Sequence, residues 1–300
     1  MSSLTDSNRL VLGTVQLGMS YGIANTSGKP NQSLADEIVS KAWQGGIREF
    51  DTAQIYGESE IILGKSLQNL GLSDKAKIIS KPSPEQSLLG KGTVELLIRE
   101  SLERLKIKSF YGFMLHKEDQ LSEWDEGLGE QLQKVQADGL AEYIGVSVYS
   151  TEKALQALNT EGIDIIQVPS NILDRRFERA GVFEKAAQLG KTLYVRSVFL
   201  QGLFFMPLEN LPKHMIFASP FIQAVTKLAS DNGLSIHELA LKYAAQAYPH
   251  AKILVGAELP EQITENMEAW LGDGPEDLVN QVRHIFDSVP EKVINPVLWK

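Results

Sequence analysis

The chain has 300 residues, 43% apolar and 22% charged, with 29 basic against 38 acidic side chains and a net charge of −9. That composition carries a sizeable folded core and excludes wholesale disorder, while the acidic balance argues against a nucleic-acid partner, whose phosphates call for a basic excess. The absence of cysteine excludes disulfides, thiolate zinc sites, iron–sulfur clusters and a cysteine nucleophile, and five histidines without metal-ligand spacing point to no metal.

Residues 1–8, MSSLTDSN, are polar and read as a flexible segment. They lack the apolar stretch of a signal peptide, so an unprocessed cytoplasmic chain is expected. The first strand is predicted over 9–13. Ser33 is read as opening the first helix, with Asp36 at its acidic third position, and Gly45 as closing it. A strand over 47–51 precedes a helix that Ser59 opens and that ends before Gly71. Strand 76–81 leads to a helix from Thr93 to Leu105, with Val94, Leu97, Ile98, Leu102 and Leu105 on one face. Strand 110–116 is followed by a helix over 122–138, stopped at Gly139. Strands 142–147, 163–168 and 192–197 alternate with helices 151–160 and 179–190. Ser219–Pro220 starts a helix running to Gly233, and Ser235 with Glu238 forms a capping box for the next. Strand 252–255 and helices 261–270 and 276–287 complete the series. No run approaches the ~18 to 20 apolar residues of a membrane span, so no membrane partner is expected.

Several of these strands are continuous apolar runs, as suits parallel strands covered on both sides. Eight of them alternating with helices predict one (β/α)8 TIM barrel domain spanning 1–300. The rival is an open doubly wound sheet, which wants G-x-G-x-x-G after its first strand. The chain has Gly13-Thr14-Val15-Gln16-Leu17-Gly18 there, without that spacing.

A barrel carries its site at the C-terminal strand ends. In this chain the predicted ends hold Asp51, Lys81, His116, Ser147, Gln167 and Arg196-Ser197, with Tyr56 five positions after Asp51 and Asn171 shortly after Gln167. Each group alone has a plain structural reading. Asp51 with Lys81 is a buried ion pair, His116 a core histidine, Tyr56 a packed loop aromatic, Gln167 and Asn171 partners for loop amides, and Arg196 a salt-bridged structural group. Jointly they fill one funnel, which favours a functional reading.

The segments LGTVQLG (12–18), REFDTAQIYGESEIILG (48–64), IISKP (78–82), YGFMLHKED (111–119), YIGVSVYS (143–150), IIQVPSNIL (165–173), VRSVFLQGLF (195–204) and ILVGAELPEQITEN (253–266) resemble the aldo-keto reductase superfamily, in that family's order. The resemblance implies a barrel that binds a nicotinamide cofactor and passes hydride to an aldehyde or ketone. It makes Tyr56 the general acid, with Lys81 beside it easing loss of the phenolic proton. It makes Asp51 the group that keeps Lys81 charged, and His116 a group that donates or relays a hydrogen bond to the substrate oxygen. It also implies that Gly13 and Thr14 contact the cofactor, that Ser147, Gln167 and Asn171 hold the nicotinamide amide, and that Ser197, Gln201 and Gly202 approach the diphosphate. Gly256, Ala257, Gln262 and Asn266 then face the adenosine end. Arg196 stands where many relatives have an aromatic that stacks on the nicotinamide; its guanidinium plane can stack too, or reach an acidic substrate.

Two departures follow from the same resemblance. Val148 replaces an asparagine frequent after the strand-five serine. Glu258 replaces a cationic or hydroxyl group, which opposes a 2′-phosphate; NADP(H) is expected first, with NAD(H) as a rival. Loops 19–32, 83–92, 117–122 and 203–218 and the tail are expected to set substrate choice, with Phe204, Phe205 and Met206 as an apolar wall or as packing. GTVQLGMSYGIANTSGKP is similar to a bacterial branch tied to carbohydrate metabolism, which implies a small, sugar-derived carbonyl substrate. Two other functions fit the same barrel. One is a non-catalytic nicotinamide-binding regulator, like the potassium-channel β-subunits that resemble this family. The other is a Schiff-base lyase using Lys81, which pairing with Asp51 disfavours.

Overall fold

Side chains alternate across a β-strand, so residues two apart share a face. In a closed barrel this rule stacks the interior in layers and carries the same face up to the rim. The structure, a computed structural model, describes residues 6–299. It forms eight strands: β1 Leu10–Gly13, β2 Glu49–Asp51, β3 Lys77–Ser80, β4 Phe110–Leu115, β5 Ala141–Ser147, β6 Ile165–Pro169, β7 Thr192–Arg196 and β8 Lys252–Gly256. All neighbours pair in parallel, and β8 pairs back onto β1 to close a (β/α)8 barrel.

Val11, Ile79, Met114, Ile165, Tyr194 and Leu254 pack together as one interior apolar layer. Two residues further along the same strands stand Gly13, Lys81, His116, Gln167, Arg196 and Gly256. A single step of the strand period thus separates a greasy plug from a polar rim. The register keeps that rim level: Gly13 pairs with Asp51 and with Gly256, and Ser147 with Gln167. Gly145 makes room for the plug, because a Cβ there would lie 2.3 Å from the Ile165 carbonyl oxygen. The outward strand residues, among them Leu10, Phe50, Ile78, Phe113, Val146, Ile166 and Val195, join the helices in the larger core.

The helices follow the expected order with local differences. After a short turn of helix at Val15–Gly18, the first expected helix runs Gln32–Gln44, and Asn31 rather than Ser33 caps it, accepting from Leu34 N at 3.0 Å. Ser59 begins Ser59–Asn69 but caps nothing; its hydroxyl ties Thr14 to Thr52. The helix expected over 122–138 is two elements, Glu118–Glu126 and Leu128–Ala137, broken where Gly127 takes φ 104°. Likewise 179–190 divides into Arg176–Arg179 and Val182–Gln188 around Gly181 at φ 69°. The Ser235/Glu238 capping box is present. Of the leading segment read as flexible, residues 1–5 lie outside the described residues. Ser7–Arg9 form a 3-10 turn capped by Asp6, whose carbonyl accepts from Trp270 Nε1.

Candidate active site

The rim encloses a cavity of about 670 Å3, within the usual range for ligand sites. It extends from Asp51, Tyr56 and His116 across β7 to the end of β8.

Beneath its floor Lys81 is fully buried. Its ammonium donates to Asp51 Oδ2 at 2.7 Å and to the Thr52 carbonyl at 3.0 Å. Gln167 Nε2 donates to the same Asp51 oxygen at 2.9 Å, and Ser147 Oγ lies 3.4 Å from Gln167 Oε1. Burial lowers the Lys81 pKa, and the adjacent Asp51 charge pulls it back up. β2, β3, β5 and β6 therefore each contribute one member of a single network.

Tyr56 arrives on the loop after β2. That loop is clamped by Gly18, where a Cβ would sit 1.8 Å from the Tyr56 carbonyl oxygen. The Tyr56 ring stands edge-on to His116, centroids 5.9 Å apart, with the Lys81 ammonium 5.6 Å from its centre. Burial, followed by the Asp51 charge, raises the phenol well above its ordinary value. The ammonium hydrogen-bonds to Asp51 and Thr52, and the phenol stays protonated at neutral pH.

His116 Nδ1 lies 3.2 Å from the Pro82 carbonyl oxygen. A carbonyl only accepts, so Nδ1 carries the proton and the neutral ring presents an Nε2 lone pair. Burial, then the Lys81 charge, lowers its pKa from 6.5 to about 4. Of donation and relay, this tautomer favours relay, because donating from Nε2 needs the disfavoured imidazolium. The depressed pKa also sets a pH response. An unfolded chain binds this proton near pH 6.5 and the folded one near 4, so the contribution to stability is complete above 6.5 and is lost as pH falls towards 4. Ring NMR of His116 should show no titration between pH 6 and 8; an inflection there would contradict this burial.

Of the residues that the resemblance assigns to cofactor, Gly13, Thr14, Ser147, Gln167, Arg196, Ser197, Gln201 and Gly202 line the cavity, as do Gly256, Ala257, Glu258, Gln262 and Asn266. Asn171 does not. Its amide donates to the Ser197 carbonyl and accepts from Leu173 N and Asp174 N, so it folds the loop after β6. Gln262 also closes its own helix, its Oε1 accepting from Glu258 N and Leu259 N. The loop after β7 is strained. Ser197, Leu200 and Gln201 hold φ of 64°, 47° and 55°, a conformation that non-glycine residues adopt at a cost.

Several wall residues were not singled out in the sequence: Tyr21, Tyr149, Phe199, His237 and Glu265. Tyr21 belongs to the expected loop 19–32, which Ile23 N pins to the Gln201 carbonyl at 2.9 Å. Loops 83–92 and 117–122 contribute no lining residue, and Glu118 instead binds Tyr149 N and Ser150 N. In loop 203–218 Phe204 and Met206 pack on the core, and Phe205 alone reaches the wall, stacked on His237 at 4.1 Å. Of the tail, residues 296–299 do not line the cavity, and Trp299 Nε1 donates to the Lys292 carbonyl.

The wall holds three buried polar atoms without a hydrogen-bond partner: Gln16 Oε1, Arg196 Nη2 and Asn266 Oδ1. Such atoms are costly unless something satisfies them, so this cavity suits a polar, extended ligand of dinucleotide size. Among the described residues no cluster of His, Asp or Glu is placed to hold a metal, and no helix is long and apolar enough to cross a membrane.

The chain and its fold are similar to known proteins. Over 93% of its length the chain is 25% identical to an L-glyceraldehyde 3-phosphate reductase of Escherichia coli strain K12, covering 90% of that protein. Among solved structures, a holo-form aldo-keto reductase from Bacillus halodurans superposes with a TM-score of 0.75 at 20% identity, covering 96% of this chain and 95% of that one. An aldo/keto reductase from Klebsiella pneumoniae, in complex with NADP and acetate, does so with a TM-score of 0.69 at 20% identity, covering 94% and 92%. The sequence model of the aldo/keto reductase family matches residues 9–286, and the chain belongs to that family of oxidoreductases.

Proposed function

We propose that this oxidoreductase reduces an aldehyde or ketone to an alcohol with a nicotinamide dinucleotide, Tyr56 giving the proton. The observation that carries this reading is the Tyr56 ring beside the ammonium of a buried Lys81–Asp51 pair, in a cavity whose volume and polar lining suit the cofactor. Bound there, a reduced nicotinamide supplies hydride. Tyr56, protonated at neutral pH, moves its Oη proton onto the oxygen of the forming alkoxide, a far stronger base than the carbonyl. The Lys81 ammonium then offsets charge left on the phenolate, and Asp51 with Gln167 holds that ammonium in place. His116 Nε2 accepts a proton shared with the Tyr56 hydroxyl or with the product alcohol. Ser147 and Gln167 are suited to hold the nicotinamide amide, and Asn266 the adenosine end.

Cofactor choice turns on the end of β8. Glu258 and Glu265 face the cavity there, and no Lys or Arg among the described residues lines that end. Burial raises the Glu258 pKa. NADP(H) remains the first choice, since a solved family member is in complex with NADP. The two carboxylates oppose a 2′-phosphate and leave NAD(H) usable. Glu258→Arg should tighten NADPH about tenfold, equivalent to ~1.4 kcal/mol, and hardly alter NADH. Equal responses in a fluorescence titration would move Glu258 away from the 2′ position. The reading as a whole is tested by titrating both reduced cofactors and then following their oxidation over an aldehyde panel. Binding without turnover of any aldehyde would favour the regulatory alternative.

A further inference from the structure

Arg196 is the one lysine or arginine among the described residues that lines the cavity. It ends β7 on the inward face, two residues after Tyr194, at the level of Lys81 and His116. The two basic side chains of that rim are treated differently. Lys81 is neutralised by Asp51 at 2.7 Å, whereas Arg196 forms no ion pair within the described chain, in a molecule with nine surplus negative charges.

The guanidinium is nevertheless held. One face rests on the Tyr149 ring, with Cζ 4.3 Å from the ring centre. Nη1 donates to Ser197 Oγ at 3.3 Å. Nη2 is out of water and has no partner. An orphaned donor on a charged group is costlier than a neutral one, and a planar fork clamped on one face presents its free edge in a fixed direction. That edge is a prepared seat for a carboxylate or a phosphate. It stands at the rim of β7 on the level of Lys81 and His116, against Tyr149, and its charge acts on Tyr56, His116 and Tyr21.

We propose that Arg196, presented by Tyr149 and Ser197, binds an anionic group of the carbonyl substrate, so that this enzyme prefers carbonyl compounds bearing a carboxylate or a phosphate. The proposal rests on the carbonyl-reductase reading above and adds the substrate class. An anion fixed at one end orients the carbonyl at the other, which is where binding energy at a distance from the reacting atoms acts.

The test compares kcat/KM within matched pairs at saturating cofactor: glycolaldehyde phosphate against glycolaldehyde, and succinic semialdehyde against butanal. In the wild type the anionic member of at least one pair should lead by about tenfold or more, and which pair does so identifies phosphate or carboxylate. Arg196→Gln should bring that ratio close to one, and Arg196→Lys should keep part of it. A wild-type ratio near one in both pairs, or a ratio that survives Arg196→Gln, overturns the proposal. So does an Arg196→Gln variant that keeps the ratio but binds NADPH and NADH equally more weakly, because the guanidinium then serves the cofactor. If the wild type binds neither cofactor, the carbonyl-reductase reading fails by itself. Calorimetry with glycerol 3-phosphate and succinate then reads the anion seat directly: binding lost in Arg196→Gln supports it, and equal or absent binding in the two proteins overturns it.

Discussion

Tyr56→Phe is expected to lower turnover by about 10²-fold or more, the contribution of a positioned general acid, while NADPH and NADH affinities change little. The substitution removes one oxygen and keeps the ring that stands edge-on to His116, so the cavity wall survives. The missing proton has no nearby replacement. His116 carries its proton on Nδ1, directed at Pro82, and Lys81 is sealed under the floor by Asp51 and Thr52. Burial and the Asp51 charge hold the phenol well above its ordinary pKa, so Tyr56 is fully protonated across the neutral range and no loss of acid form limits the wild type there. Steady-state rates with a working aldehyde and a fluorescence titration of each cofactor decide the matter. Near-wild-type turnover in the Phe variant removes Tyr56 from the proton path.

The strands and their polar ends are legible in the sequence for one physical reason. A two-residue period places Val11, Ile79, Met114, Ile165 and Tyr194 in one layer, and the same period carries Gly13, Lys81, His116, Gln167 and Arg196 to the rim. No comparable rule governs the loops. Tyr21 and Tyr149 reach the wall from loops and His237 from the start of a helix far along the chain, and each reads in isolation as an ordinary aromatic or imidazole. Asn171 shows the opposite ambiguity. An amide two residues past a strand end is equally suited to a ligand or to a loop, and three backbone groups within reach chose the loop. Helix boundaries failed where local chemistry was degenerate: Asn31 and Ser33 are both good caps, and the helix uses the earlier one. Gly127 and Gly181, mid-helix by periodicity, adopt positive φ and split their segments.

Lys81→Met should destabilise the fold by about 3–5 kcal/mol, the usual cost of removing one partner of a buried ion pair, and should abolish most turnover as well. The lysine is completely buried, and its loss strands the Asp51 carboxylate with only the Gln167 amide to serve the same oxygen. The thioether cannot donate to Thr52 or Asp51, so two hydrogen bonds vanish along with the charge. The double variant Lys81→Met/Asp51→Asn separates structure from chemistry. Replacing the stranded carboxylate by an amide removes the unpaired charge and keeps a carbonyl oxygen for Gln167. Much of the lost stability should therefore return in urea unfolding midpoints at unchanged slope. Turnover should not return, because no ammonium then lies beneath Tyr56 to offset phenolate charge. A single variant that unfolds at the wild-type midpoint would show that the pair adds nothing to stability. A double variant that regains turnover together with stability would mean that Lys81 acts only as scaffold, and that Tyr56 works without a cation below it.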